Sequence, residues 1–319
     1  MGEEEKKMKK ILEVRHIEKS YHDNKAIDDL SFCVYEGEIL GLLGPNGAGK
    51  STMIGILSTL LKSDGGNIDM FGLSLASNIQ QIKSQLGIVP QEIAIYEDVS
   101  AYRNVAFFAS LYGVKKKELK ERVLKALSFV GLLDKKDELP KTFSGGMKRR
   151  LNIACAIAHQ PQLLILDEPT VGIDPQSRNH ILSSLKILRD QGTTIIYTTH
   201  YMEEVEEIAD RIVIMDKGVK IAEGTLKELL DIYKDTLIYT FFVEKTQEDI
   251  VEKLLSIKGV QQVEIQKNSL KITVSKKWDV LDKIILFFVE EGYHIQKMET
   301  EEGNLEMVFL TLTGKKLRD

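Results

Sequence analysis

Cysteine is nearly absent from this chain of 319 residues: only Cys33 and Cys155 occur, far apart and with no histidine cluster beside them. That count argues against a disulfide framework and against a zinc site, and it fits a reducing compartment. Missing too is any run approaching the eighteen or so consecutive apolar residues that a membrane helix needs. The richest stretch, IILFFVEEG, is broken by glutamates, so any membrane-spanning part is expected on another polypeptide. There is no excess of basic charge: 43 Lys and Arg face 48 Asp and Glu, a net charge of −5. Nucleic acid is therefore not expected as a partner, and the cluster Lys115 to Lys117 reads as solvated helix surface. The opening MGEEEKKMKK has mixed charge and no apolar segment after it, unlike a secretory signal, and is expected to fray. Internal repeats are lacking as well.

What is present, 43% hydrophobic and 29% charged residues, is enough to bury one large or two modest cores. Apolar or alternating runs predict strands at 11–17, 30–35 and 38–43. Helix spacing begins at Gly49, with Met53, Ile54, Leu57, Leu60 and Leu61 on one face. A strand LGIVP ends at Pro90, and three helices at 101–112, 117–130 and 146–159 form a long insertion before strands resume. QLLILDEP is a continuous apolar run ending in acids, as a strand covered on both faces should be. Helices at 175–190 and 202–209 then alternate with the strands TTIIYTTH and RIVIMDKG and a short hairpin partner ending at Gly224, which implies a parallel α/β sheet. Near Lys234 and Asp235 the character changes. Strand TLIYTFFV, a helix from Gln247 to Leu255, strand VQQVEIQ, a tight turn at Asn268, strand LKITV, a helix from Val280 to Glu290, strand YHIQKME and a last helix near 305–312 follow. That βαββαβ order predicts a small ferredoxin-like α+β domain over 235–319, after a first domain over 1–234.

GPNGAGKST, Gly44 to Thr52, matches the phosphate-loop pattern in full, and it follows an apolar strand and opens a helix. The residues Gly44, Pro45, Asn46, Gly47, Ala48 and Gly49 supply a loop whose backbone NH groups can wrap a β-phosphate. Lys50 would reach the β- and γ-phosphates, Ser51 would offer its hydroxyl to Mg²⁺, and Thr52 continues the binding loop. LLILDEP places Asp167 and Glu168 at the C-terminal edge of a buried strand, where open α/β sheets bind their ligands. There Asp167 is expected to hold Mg²⁺ and Glu168 to orient and deprotonate the attacking water. FSGGMKRRL opens another helix with Ser144, Gly145 and Gly146, a second start of the kind that holds anions.

Together these residues resemble the ATP-binding cassette ATPases over roughly 11–233. The resemblance implies a P-loop cassette fold, with a parallel sheet core, antiparallel β and a helical subdomain at about 92–160. Ser144, Gly145 and Gly146 look like the signature loop that presses on the γ-phosphate held by a partner subunit, which explains why one chain carries two phosphate grips. Gln91 resembles the Q-loop glutamine that reaches Mg²⁺ and the water, Asp174 the D-loop aspartate at the dimer interface, and His200 the switch histidine on the γ-phosphate. Tyr21 matches the aromatic that stacks on adenine, and it also reads as an ordinary strand-end tyrosine. Met147 stands where the signature commonly has glutamine, a wording similar to the drug-resistance exporter branch. The C-terminal LEMVFLTLTGKKL resembles the terminal domain of those exporter ATPases, where dimer support, regulation, membrane-subunit contact and plain stabilisation are all open.

The resemblance implies an ATPase subunit using ATP and Mg²⁺, acting as a homodimer on the cytoplasmic face of a membrane and driving separate membrane-spanning subunits in export. Ile95, Tyr96 and Glu97 are the expected exposed coupling residues. Cassette relatives acting in DNA repair carry coiled-coil or zinc-bearing insertions, and translation-type relatives join two cassettes. Neither feature occurs here. An ATP-gated scaffold that barely hydrolyses is opposed by the presence of both Glu168 and His200.

Overall fold

The computed structural model describes residues 9–231, 235–243, 250–266, 269–301 and 304–313. β1 (Lys10–Tyr21) and β2 (Asn24–Tyr35) form an antiparallel hairpin that closes at the pair Tyr21 and Asn24, leaving Tyr21 at its tip. β3 (Ile39–Leu43) is buried at every position and runs through the glycine loop straight into α1 (Lys50–Leu57). Leu60 and Leu61 do not continue that helix, contrary to their spacing. The chain folds back instead: both amides donate to Gly55 O at 2.9 Å, and Leu61 lies where a Cβ on Gly55 would meet its Cδ1 at 2.7 Å. Leu61 thereby packs on the core while Leu60 is left 78% exposed.

β4 (Gly65–Met70), β5 (Leu73–Ser74) and α2 (Ile79–Lys83) follow, none of them marked by a periodic apolar run. β4 and β5 complete an antiparallel sheet in the order β2-β1-β4-β5. β6 (Leu86–Val89) precedes the helical insertion of α3 (Ala101–Leu111), α4 (Lys116–Phe129) and α5 (Gly145–Ile157). Then come β7 (Leu163–Asp167), α6 (Pro175–Asp190), β8 (Thr194–Thr199), α7 (Met202–Ile208), β9 (Arg211–Asp216) and β10 (Val219–Gly224). The second sheet has the order β10-β9-β3-β8-β7-β6, parallel except for β10 at its edge. Its register sets Leu43 beside Thr199 and Asp167 beside Thr198. Three strand ends therefore deliver the glycine loop, the two acids and His200 to one edge. A single apolar core joins the sheets, running from Leu12, Val14 and Ile17 through Met53 and Leu57 to Ile165 and Ile196.

The chain divides into two compact units after Leu226, just ahead of Asp235 where the composition changes. α8 (Leu226–Leu230) begins at that division, and the second unit holds β11 (Thr236–Val243), α9 (Ile250–Leu255), β12 (Val260–Gln266), β13 (Ser269–Ser275), α10 (Leu281–Glu290), β14 (Ile295–Glu301) and α11 (Leu305–Thr313). The strand order is β12-β13-β11-β14, antiparallel throughout, which is the split βαβ arrangement. Phe241 and Phe288 meet at 4.9 Å in its own core with Leu254, Ile272 and Ile284. The start of the helix expected from Gln247, the turn at Asn268, Lys234 and the residues after Thr313 lie outside the described residues.

Candidate functional site

Space as well as backbone rotation dictates the glycine loop. Gly49 has φ +87°, and a Cβ there would lie 2.2 Å from Ala26 O on β2. The turn between β9 and β10 holds the loop from the other side: Gly218 N donates to Ala48 O at 2.9 Å, and Gly218 O accepts from Asp28 N at 2.9 Å. Within the loop Ala48 N donates to Pro45 O at 3.1 Å. No described side chain caps α1, so its first amides remain available to an anion. Lys50 is buried, donating from Nζ to Gly44 O at 3.0 Å and standing 3.1 Å from Glu168 Oε1.

Pairing of β7 with β8 orients the two acids. Thr198 Oγ1 donates to Asp167 Oδ1 at 2.7 Å, while Glu168 N donates to Thr198 O and to Thr198 Oγ1, each at 3.1 Å. Glu168 takes φ +45°, a left-handed conformation that costs a side-chain-bearing residue about 1–3 kcal/mol and persists where surroundings over-determine it. The result is a buried carboxylate whose second oxygen stands 3.3 Å from His200 Nδ1, close in charge but without hydrogen-bond geometry. The His200 ring rests on Tyr201 at 4.1 Å.

A cavity of about 530 Å³ brings together Tyr21, Asn46, Gly47, Gly49, Lys50, Ser51, Thr52, Gln91 and Glu168. Tyr21, 41% exposed at the hairpin tip, is placed to offer a ring face, and Lys19 Nζ approaches that ring at 5.7 Å. Asn24, Lys25 and Lys217 line the same cavity and were invisible to motif reading. Asn24 and Lys25 open β2 and Lys217 sits in the turn before β10, positions that only the fold brings to the loop. Among the described residues, Ser144, Gly145, Gly146, Asp174 and His200 are not part of that lining.

The signature and D-loop segments meet each other instead. Ser144 caps α5, its Oγ accepting from Met147 N at 3.2 Å, and Ser144 and Gly145 are exposed. Gly146 is buried against α6, where a Cβ would come within 2.2 Å of Ser177 Oγ. Asp174 caps α6 by accepting from Ser177 N at 2.9 Å, and the Ser177 amide and hydroxyl hold its carboxyl below the usual range. Arg149, on the same helix as the signature, donates to Pro90 O at 2.6 Å and to Gln91 O. Burial lowers its pKa, opposed by the Asp167 charge. Beyond Gln91 the loop is equally well anchored: Asn104 accepts from Tyr96 N at 2.7 Å, and Lys148 reaches Glu97 at 2.6 Å. Tyr96 (52% exposed) and Glu97 are surface residues, but Ile95 is half-buried, contrary to expectation. With α5 directly beneath this loop, shown by Asn152 accepting from Ala94 N at 3.2 Å, not every side chain can face outward.

Ser51, Gln91 and Asp167 are oxygen donors of the kind Mg²⁺ selects. No cluster of three or more His, Cys, Asp or Glu among the described residues could hold a metal. A Mg²⁺ delivered with phosphate oxygens needs only one or two carboxylates, so the donor set fits.

A glycine loop between a parallel strand and a helix, with strand-end acids beside it, defines a nucleoside-triphosphate-binding P-loop protein. Residues 27–171 match the family described as ABC transporter. The chain is 43% identical over 97% of its length to all of the linearmycin resistance ATP-binding protein of Bacillus subtilis. It is 35% identical over 96% of its length to the daunorubicin/doxorubicin resistance ATP-binding protein of Streptomyces peucetius, covering 93% of that protein. Among solved structures, cbiO1 from Clostridium perfringens, part of the ABC transporter complex cbiONQ, superposes with TM-score 0.65 at 31% identity, covering 70% of this chain and 91% of that one. A dimeric ATP-binding cassette in a post-hydrolysis state, bound to ADP and phosphate, gives TM-score 0.62 at 25% identity over 67% of this chain and 98% of its own. The chain belongs to the ABC transporter family, as one of its ATP-binding, ATP-hydrolysing subunits.

Proposed function

We propose that this subunit powers export as a homodimer on the cytoplasmic face of a membrane, each ATP lying between the phosphate loop of one protomer and Ser144, Gly145 and Gly146 of the other. The observation that carries this reading is the separation of the two grips: the cavity at Lys50 is lined without any signature residue, while Ser144 and Gly145 present a capped helix start to solvent. A second copy supplies the missing wall. Export is supported by the resistance and Nod factor export names of the relatives. Separate spanning subunits are supported by the transporter complex to which the cbiO1 neighbour belongs. No helix among the described residues is long and apolar enough to cross a membrane.

In this reading Tyr21 stacks on adenine, and free backbone NH groups of the loop from Asn46 to Thr52 wrap the phosphates with Lys50 at the β- and γ-oxygens. Ser51, Gln91 and Asp167 would hold Mg²⁺, which would supply neutralisation of the phosphate charge. Glu168 accepts the proton of the attacking water, a role typically worth about 10² to 10⁴ in rate. His200 steadies the γ-phosphate from the opposite side of Glu168, and Asp174 faces the partner. Two coupling residues, Tyr96 and Glu97, remain on the surface to meet the spanning subunits.

Glu168→Gln tests base and interface together, because it keeps the shape but removes the proton acceptor. Size-exclusion chromatography with ATP and Mg²⁺ should show the variant trapped as a dimer while turnover is lost. A variant that stays monomeric while the wild type dimerises overturns the reading.

A further inference from the structure

Behind the end of β8, away from the nucleotide cavity, one fully buried carboxylate gathers three segments of the chain. Glu204, on α7, is 0% exposed. Its Oε2 accepts from the Tyr197 hydroxyl at 2.7 Å, from Thr170 Oγ1 at 2.9 Å and from Thr199 Oγ1 at 3.0 Å. Its other oxygen faces Arg178 Nε at 3.5 Å, an ion pair without hydrogen-bond geometry. Three of these four partners adjoin a residue of the site. Thr170 follows Glu168 closely, Thr199 directly precedes His200, and Arg178 N closes the first turn of α6 on Asp174 O at 2.9 Å. Thr199 Oγ1 also accepts from Tyr201 N at 3.0 Å, so the chain is fastened on both sides of His200.

We propose that Glu204 is a positioning residue for ATP hydrolysis: through Thr170, Thr199 and Arg178 it holds Glu168, His200 and Asp174 in one arrangement. A buried charge is costly unless it is paired and hydrogen-bonded, and an apolar residue would fill the same space without that cost. Three hydroxyls and a guanidinium converging from β8, α6 and the loop after β7 give the carboxylate a task that packing alone does not require. An amide cannot perform it, because its NH₂ would confront Arg178 or the hydroxyl donors. Glu204 and its partners do not line the nucleotide cavity, so the effect falls on turnover rather than on ATP affinity.

The inference rests on the assignment of Glu168 and His200 above, and the test separates the two. In the full chain, Glu204→Gln should lower kcat roughly 10- to 100-fold, the scale of a misplaced catalytic group, with KM and the calorimetric Kd for ATP within about twofold of wild type. Thr199→Val should lose kcat in the same manner, and Thr199→Ser, which keeps the hydroxyl, should restore most of it. The Thr199 pair decides the matter if the Glu204 variant does not fold. Unchanged kcat in Glu204→Gln and Thr199→Val overturns the inference, as does a loss of ATP affinity in step with kcat. If Glu168→Gln abolishes turnover while these variants do not, only the positioning role fails; if Glu168→Gln retains turnover, the underlying assignment fails first.

Discussion

Lys50 shows how one side chain can be both structural and chemical. An ammonium has three donors; here Gly44 O takes one and Glu168 Oε1 sits within reach of another, leaving a third directed by a buried stem. Under the proposed function, truncation removes a phosphate ligand, and it leaves Glu168 buried without the Lys50 ammonium. We expect Lys50→Ala to weaken ATP binding at least roughly tenfold, the worth of one charge-assisted hydrogen bond, in a calorimetric titration with ATP and Mg²⁺. Retained affinity would contradict the placement of the phosphates. That Lys50, Ser51 and Glu168 meet at one cavity is legible in the sequence, because their motifs are contiguous runs beside apolar strands. Lys217, Thr198 and Glu204 are not, since each matters only through neighbours that β-sheet register brings in from far along the chain.

At the scale of elements, periodicity located the buried parallel strands and the helices of the insertion, whose apolar faces are long enough to read. It missed β4, β5 and α2, which are short and half-exposed, and it ran α1 too far because a back-folded Leu61 mimics one more helical turn. Elements are also joined by polar pins that no pattern announces. His159, just beyond α5, stacks on Tyr112 at 3.9 Å and its Nε2 donates to Leu86 O at 2.9 Å, tying the helical insertion to β6. Its Nδ1 has no partner, so protonation would bury an N–H without an acceptor. Burial accordingly lowers the His159 pKa from 6.5 to about 4, against the pull of the Leu86 carbonyl. As pH falls through about 6.5 the unfolded chain takes up a proton that the fold refuses until about 4. Stability present above the first value is thus lost toward the second, on the order of 3 kcal/mol. Thermal melts of wild type and His159→Gln across that range should show the wild type falling more steeply. Parallel curves would exclude the pin as the source.

For the whole molecule, the packing of Gly146 on Ser177 beside Asp174 makes the starts of α5 and α6 one body, and Arg149 links that body to the Gln91 loop. Under the proposed dimer, a second copy pressing on one of these segments would press on all of them, and its contact would reach the residues around Glu168 through neighbouring side chains. Specific ATPase activity should then rise with subunit concentration and level off where the ATP-bound dimer saturates, following mass action. Ser144→Arg separates assembly from binding. Because Ser144 lies outside the cavity at Lys50, a single copy of the variant should keep its ATP affinity. An arginine at the exposed helix start would nevertheless prop the two copies apart, so dimerisation with ATP should vanish and turnover should fall about 10²-fold or more, the usual result of losing preorganised stabilisation of developing charge. Calorimetry on the variant reports the first quantity, chromatography and phosphate release the other two. Specific activity independent of concentration, together with full turnover in Ser144→Arg, would mean that each copy hydrolyses ATP alone.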